Sequence, residues 1–167
     1  VFHTIEERID HLNQFVQGYG KFAKLPSPVF DTIQWSDILS QLRQQYEFKL
    51  SMPEPVQLQA DAVQIEQLLI NLLKNAHEAG GDTKHIEVAI KQNASQVYVE
   101  VLDRGKGMSE SVMANALVPF YSTKTTGSGL GLALCREIAD AHHGNLVIQN
   151  RPDGGLCVRI VFEKNEG

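Results

Sequence analysis

Three short runs in this 167-residue sequence bring together side chains and backbone that could do chemistry. Asn71, Asn75 and Glu78 fall four and three residues apart inside a stretch of helical period, so they share one edge of a helix beside its apolar face. Asp103-Arg104-Gly105-Lys106-Gly107 follows alternating apolar residues, which puts a carboxylate at a strand end with two glycines after it. Gly127-Ser128-Gly129-Leu130-Gly131-Leu132 leads into an apolar-periodic stretch, so uncovered backbone N–H groups and the positive end of a helix dipole stand where an anion can bind. Each run alone also has a plain reading: surface asparagines on an amphipathic helix, an ordinary strand-ending turn, and glycines that serve a tight turn. Together they describe a nucleotide site. The carboxylate can accept a hydrogen bond from an adenine amino group, the glycines let backbone approach the base, an asparagine oxygen can ligate Mg2+, and the helix N-terminus can hold phosphate.

The elements that must position these runs can be placed in chain order. Ile5, Ile9, Leu12, Val16, Tyr19 and Ala23 recur at steps of three and four, the seam of a coiled-coil-like helix that Leu25-Pro26-Ser27-Pro28 ends. Val29 to Trp35 follows as a linker or edge strand. Ser36 is placed to cap a helix running to about Tyr46 with Ile38, Leu39 and Leu42 inward, and Met52-Pro53-Glu54-Pro55 turns into a short strand, Val56 to Ala60. Asp61 and Gln64 form a capping-box pattern that opens a helix to Ala79, where Gly80-Gly81 stops it; Ile65, Leu68, Leu69, Leu72, Leu73 and Ala76 make its buried face. Ile86, Val88, Ile90 and then Val97, Val99, Val101 predict an antiparallel hairpin with one buried face. Met108 to Thr126 has little period and is expected to be a mobile or functional loop. A helix from Leu130 to His143 with Gly144 as its C-cap, then a hairpin of Leu146 to Asn150 and Leu156 to Phe162 around Arg151-Pro152-Asp153-Gly154-Gly155, complete the chain.

Composition narrows the function classes. With 43% hydrophobic residues the chain can bury a core of its own, and a net charge of -5 without any lysine/arginine block argues against nucleic acid or an anionic membrane as partner. Cys135 and Cys157 lack CxxC spacing and are expected to be small buried hydrophobes in a reducing compartment, so the expected location is cytoplasmic. No run is long and apolar enough for a membrane span. A start at Val1 rather than Met suggests a piece of a longer protein, whose remainder could carry a membrane anchor.

From about Trp35 to Phe162 the sequence resembles the ATP-binding catalytic domain of two-component sensor histidine kinases, within the gyrase, Hsp90, kinase and MutL ATPase superfamily. Gln67-Leu-Leu-Ile-Asn71-Leu-Leu-Lys-Asn75-Ala76 is similar to the N box and Asp103-Arg-Gly105-Lys-Gly107-Met108 to the G1 box. Pro119-Phe120-Tyr121-Ser122-Thr123-Lys124 is similar to the F box and Gly127 to Leu132 to the G2 box. The resemblance implies an α+β fold: a two-layer α/β sandwich of the Bergerat type, with a mixed, mostly antiparallel sheet covered by helices on one face, preceded by one long N-terminal helix. ATP would lie between the N-box helix and a lid formed by Met108 to Thr126. Asn75 is then the Mg2+ ligand, Asp103 the adenine-reading carboxylate, and Gly127, Ser128, Gly129, Leu130, Gly131 and Leu132 the phosphate cradle. Asn71, Gly105, Gly107, Met108, Thr123 and Lys124 join the nucleotide-binding set. Lys124 is placed to reach the terminal phosphates when the lid closes, a solvated loop lysine being the plain alternative. ATP-hydrolysing relatives carry a glutamate where Asn71 stands; an amide cannot take a proton from water, which fits transfer of phosphate to a side chain and slow intrinsic hydrolysis. After Asn75-Ala76, many sensor kinases place a basic and then an aromatic residue, whereas this chain has Glu78 and Ala79, so a phosphate contact from position 78 is not expected.

The same resemblance assigns residues 1–25 to the second helix of a dimerisation and phosphoacceptor hairpin, 26–34 to a linker or edge strand, and 35–167 to the catalytic domain. None of His3, His11, His77, His85, His142 or His143 has the acidic residue and following proline of the phosphorylated histidine, so the acceptor is expected outside this chain. Expected partners are a phosphoacceptor helix of the same or a second subunit and a response-regulator receiver domain, with a homodimer in the full protein. His142 and His143 read as surface residues suited to a helix C-terminus rather than as metal ligands. Two other classes stay open: a stand-alone superfamily ATPase or serine kinase of the anti-sigma-factor type, and a non-catalytic module in which nucleotide only moves the lid.

Overall fold

A computed structural model describes residues 25–118 and 131–164. The long helix expected over the first 24 residues, and the part of the expected lid from 119 onward, lie outside the described residues. The chain runs β1 (Asp31–Thr32), α1 (Trp35–Arg43), β2 (Lys49–Ser51), β3 (Gln59–Ala60), α2 (Ala62–Glu78), a short 3-10 turn (Thr83–His85), β4 (Glu87–Gln92) and β5 (Gln96–Leu102). It continues through α3 (Glu110–Asn115), α4 (Gly131–Ala141), β6 (Asn145–Asn150) and β7 (Leu156–Glu163). Five strands form one sheet in the order β2-β4-β5-β7-β6, in which β2 lies parallel to β4 and every other pair is antiparallel; β1 and β3 pair separately.

Alternation within the strands separates the two faces of this sheet. Val97 pairs with Phe162, Val99 with Ile160 and Val101 with Val158, and all six are buried in the core with Val88 and Ile90. Helices α2 and α4 pack on the sheet and on each other, and α1 packs on α2. The expected inward face of α2 is buried residue for residue, from Ile65 through Ala76. The hairpin face opposite the core is not wholly open, because Glu100 is only 7% exposed there, held by Arg159 Nη2 at 3.0 Å from the paired position of β7. This is the architecture expected: two layers, a mostly antiparallel mixed sheet, helices on one face.

Several local expectations need correcting. α1 starts at Trp35 and ends at Arg43, with Gln34 at the N-cap and no side-chain cap, because the buried Trp35 indole donates to Val56 O at 3.0 Å and fixes the chain one residue before Ser36. β2 was not expected, since three residues on an edge show no period. The strand expected over Val56 to Ala60 shrinks to two residues, and within Val29 to Trp35, expected as a linker or edge strand, only Asp31–Thr32 is strand. Ser109 accepts from Val112 N at 3.2 Å and starts α3 inside the stretch expected to be irregular. The αL residue closing α4 is His143, at φ 58, with Gly144 N donating back to Ala139 O at 2.8 Å; Gly144 is the next position, where a side chain would strike Val161 O.

At the start of α2, Asp61 caps Gln64 N at 3.1 Å, but Gln64 does not close the box. Its amide donates to Pro26 O at 2.9 Å, and the Asp61 N–H goes to His142 Nε2 at 3.1 Å instead. His142 is therefore no surface residue. It is 7% exposed, its Nδ1 lies 2.7 Å from Ile138 O, and its ring meets Phe30 and Phe162 edge-on. Accepting at Nε2 and donating from Nδ1 define one neutral tautomer, which suits a structural post between α4 and the start of α2. Both cysteines are buried and free, as expected.

Candidate functional site

Asp103 stands where β5 ends, and the turn between β6 and β7 builds its surroundings. It is 5% exposed. Its N–H donates to Leu156 O at 3.0 Å, and its Oδ1 accepts from Gly105 N at 2.8 Å and Leu156 N at 3.2 Å. Arg151 Nη1 donates to the Asp103 carbonyl at 2.9 Å, and Arg104 Nη1 donates to Gly154 O at 2.8 Å. Gly155, at φ +100, must be glycine: a Cβ there would land on the Asp103 carbonyl oxygen. Both bonds to the carboxylate fall on one oxygen, so the side chain has a fixed rotamer and its other oxygen is not used by these partners.

The loop after Asp103 then crosses the C-terminal end of α2. A Cβ on Gly105 would sit 2.5 Å from the Cβ and the carbonyl oxygen of Ala79, and Lys106 N donates to Ala79 O at 3.1 Å. Backbone of the aspartate loop thus lies directly on the helix that carries the two asparagines. Asn75 is half-buried on α2, and its amide nitrogen would be 3.7 Å from a Cβ on Gly131, the first residue of α4. The carboxamide consequently stands beside the positive end of an 11-residue helix whose first turn holds no acidic side chain.

Asn71 lies one turn earlier on α2. Its amide Oδ1 accepts from Gln67 Nε2 at 3.3 Å, and one turn away Cys135 Sγ on α4 donates to Leu68 O at 3.7 Å. Burial pushes the Cys135 thiol up to about 12 against the smaller opposing pull of the Asn71 amide, so Cys135 stays a neutral packing group. Cys157 is pushed up to about 11, first by burial and then by its contact with Glu100, whose Oε2 lies 3.3 Å from the sulfur. Glu78 is exposed; after burial itself, its charge is the second cause that raises the Tyr46 hydroxyl above its ordinary value.

Of the residues predicted for the site, Asn71, Asn75, Asp103, Gly105, Gly107, Met108, Gly131 and Leu132 are described and lie on α2, the β5 loop and the start of α4. Thr123, Lys124, Gly127, Ser128, Gly129 and Leu130 lie outside the described residues. Asn150, Arg151 and Gly155 were missed. The usable clue was that a turn with two adjacent glycines opens the strand pairing with β5, so it must come against the end of β5 where the aspartate sits. Among the described residues no group of three or more His, Cys, Asp or Glu could hold a metal ion. An asparagine amide oxygen is nonetheless a hard donor of the kind Mg2+ accepts beside phosphate and water oxygens.

Residues 60–166 match the family model described as histidine kinase-, DNA gyrase B-, and HSP90-like ATPase. The C4-dicarboxylate transport sensor protein DctS of Rhodobacter capsulatus is 38% identical over 109 residues, covering 63% of this chain and 17% of DctS. A putative sensor histidine kinase, NtrY-like, of Rickettsia bellii is 30% identical over 166 residues, covering 93% of this chain and 27% of that protein. The chain therefore spans about a quarter or less of these relatives. Among solved structures, the nucleotide-free catalytic domain of histidine kinase ThkA superposes with a TM-score of 0.69 at 28% identity, over 81% of this chain and 96% of that domain. ThkA in complex with the response regulator protein TrrA superposes with a TM-score of 0.76 at 25% identity, over 97% of this chain and 50% of that one.

Proposed function

The chain belongs to the histidine kinase-, DNA gyrase B- and HSP90-like ATPase family and carries the ATP-binding catalytic domain of sensor histidine kinases; we propose that it binds Mg-ATP and passes the γ-phosphate to a histidine outside this sequence. One observation carries the reading: the Asp103 loop rests on the C-terminal end of α2, while Asn75 of the same helix meets the first residue of α4. The buried carboxylate of Asp103 and the N-terminal end of α4 are thereby set along a single helix edge, the arrangement a nucleotide requires at its two ends.

In this reading Asp103 accepts from the exocyclic amine of adenine, with its rotamer fixed by Gly105 N and Leu156 N. Gly107 and Met108 continue the wall of the base site. Gly131 and Leu132 present the first N–H groups of α4 to phosphate, and Gly127 to Leu130 extend that cradle. Lys124 and Thr123 reach the terminal phosphates from the lid. Mg2+, held by the Asn75 amide oxygen, would supply neutralisation of phosphate charge. Asn71 orients rather than ionises, since its amide has no basic lone pair at neutral pH. The acceptor is a phosphoacceptor helix of the same or a second subunit, and the phosphate then goes to a response-regulator receiver domain. That ThkA has been captured with a response regulator supports this placement.

The test is incubation of the 167-residue chain with γ-labelled ATP, Mg2+ and a separately made phosphoacceptor hairpin. Label on histidine, stable to base and lost in acid, is expected. Label on serine or fast release of free phosphate would replace the reading with a serine kinase or ATPase, and ATP binding without transfer to any acceptor would leave a nucleotide-responsive module.

A further inference from the structure

Asn150 closes β6, is solvent-exposed, and spends its whole carboxamide on one distant residue. Its Nδ2 donates to Met108 O at 2.6 Å and its Oδ1 accepts from Met108 N at 2.9 Å, across 42 positions of sequence. A single amide thus satisfies both backbone groups of Met108, which is the service a neighbouring strand would give if β5 continued. Gly107, just before it, turns at φ +68, and a Cβ there would lie 2.6 Å from the Asn150 oxygen. The left-handed turn and the absent side chain together let the loop fold back against Asn150.

From this geometry we propose that Asn150 is a positioning residue for the nucleotide site: it clamps the far end of the Asp103 loop and thereby sets ATP affinity without touching the nucleotide. This deepens the ATP-binding reading above and rests on it. The near end of the loop is held at Asp103 by Leu156 and Arg151, and its middle by Ala79; beyond Gly107 the Asn150 amide holds the Met108 backbone while the Met108 side chain packs against the core. The bonds lie at the surface, where water can replace them, so their loss costs the fold little. What is lost is the restriction of the loop to one conformation. Apparent affinity scales with the fraction of molecules whose site is already formed, so a loop that keeps that form about a tenth of the time binds about tenfold more weakly.

The test compares the unmodified 167-residue chain with Asn150→Ala and Asn150→Ser by calorimetric titration with ATP, by melting without nucleotide, and by amide hydrogen exchange. Asn150→Ala is expected to weaken ATP binding about tenfold while the melting temperature moves by no more than about two degrees. Exchange should quicken at Met108 but not along β4, β5 and β7. Asn150→Ser, which keeps one hydroxyl able to serve either group of Met108, should fall between the two. An ATP affinity for Asn150→Ala within about twofold of the unmodified chain overturns the inference whatever Met108 exchange does, as does weakened binding accompanied by an equivalent loss of melting temperature and general exchange. Failure of the unmodified chain to bind ATP at all would overturn the underlying reading as well, and is distinct from both.

Discussion

In the proposed reading Asp103 has two duties that one substitution can separate. Its Oδ1 neutralises the N–H groups of Gly105 and Leu156 in a buried setting, and the remaining oxygen is the one available to a base. Asp103→Asn can keep the first duty with its amide oxygen but turns the second atom into a donor, which opposes the adenine amine. ATP binding should weaken by about tenfold or more, as expected for a lost charge-assisted hydrogen bond, with thermal stability close to that of the parent. Asp103→Ala removes both duties and should also destabilise the fold, by about 1–3 kcal/mol for each N–H left unpaired. Titration calorimetry beside thermal melting checks the contrast; equal stability loss in the two variants would show that the second oxygen is structural. The placement of Asp103 at a strand end and of Asn75 on a helix was legible in the sequence because a strand period and a helix period lead up to them. His142 and Asn150 were not, because what defines them is a partner 81 or 42 residues away, and no local spacing encodes such a contact.

Helix α2 shows how distant parts of the chain fix an element end. Asp61 caps it, takes Val29 N at 2.9 Å on its other oxygen, and offers its own N–H to His142. Burial pushes the Asp61 carboxyl up, but the N–H groups of Val29, Gln64 and Val63 outweigh it, so the group lies below its ordinary value. A carboxyl lowered by folding adds stability above its unfolded value, about pH 4, and that stability fades as pH falls through the folded value. Asp61→Ala should therefore cost about 1 kcal/mol near neutral pH and progressively less on acidification below about pH 4. Urea denaturation of both proteins across that range measures the gap, and a gap constant with pH would mean the carboxylate charge is not what α2 uses. Long elements such as α2, the β4–β5 hairpin and the β6–β7 pair were readable because several periods of burial repeat. β1, β2 and β3 hold two or three residues each and exist through their partners: β2 through the parallel ladder to Glu87–Ala89, and β1 and β3 through each other. The unusual cap of α1 belongs to the same class, since the contact of Trp35 with Val56 spans a turn that propensity alone cannot see.

On the scale of the whole molecule, the site gathers pieces that the chain supplies far apart: α2 from its middle, the β5 loop, the start of α4, and the β6–β7 turn near the end. None of these can form the site unless the sheet has brought β5 and β7 together and α4 lies on α2. A ligand that grips all of them binds only the folded chain, so it must stabilise the fold by mass action. ATP at about one hundred times its dissociation constant should add about 2.7 kcal/mol to the unfolding free energy. For a domain of this size that raises the melting temperature by roughly 5–10 °C, continuing to climb with the logarithm of ATP concentration beyond saturation. Melting curves recorded over a thousandfold range of ATP with Mg2+ present test this directly. Asp103→Asn and Asn150→Ala should reach the same rise only at correspondingly higher ATP, because each weakens binding while leaving the assembled elements in place. A melting temperature indifferent to ATP in the unmodified chain would mean that the convergence of α2, the β5 loop and α4 serves packing rather than nucleotide.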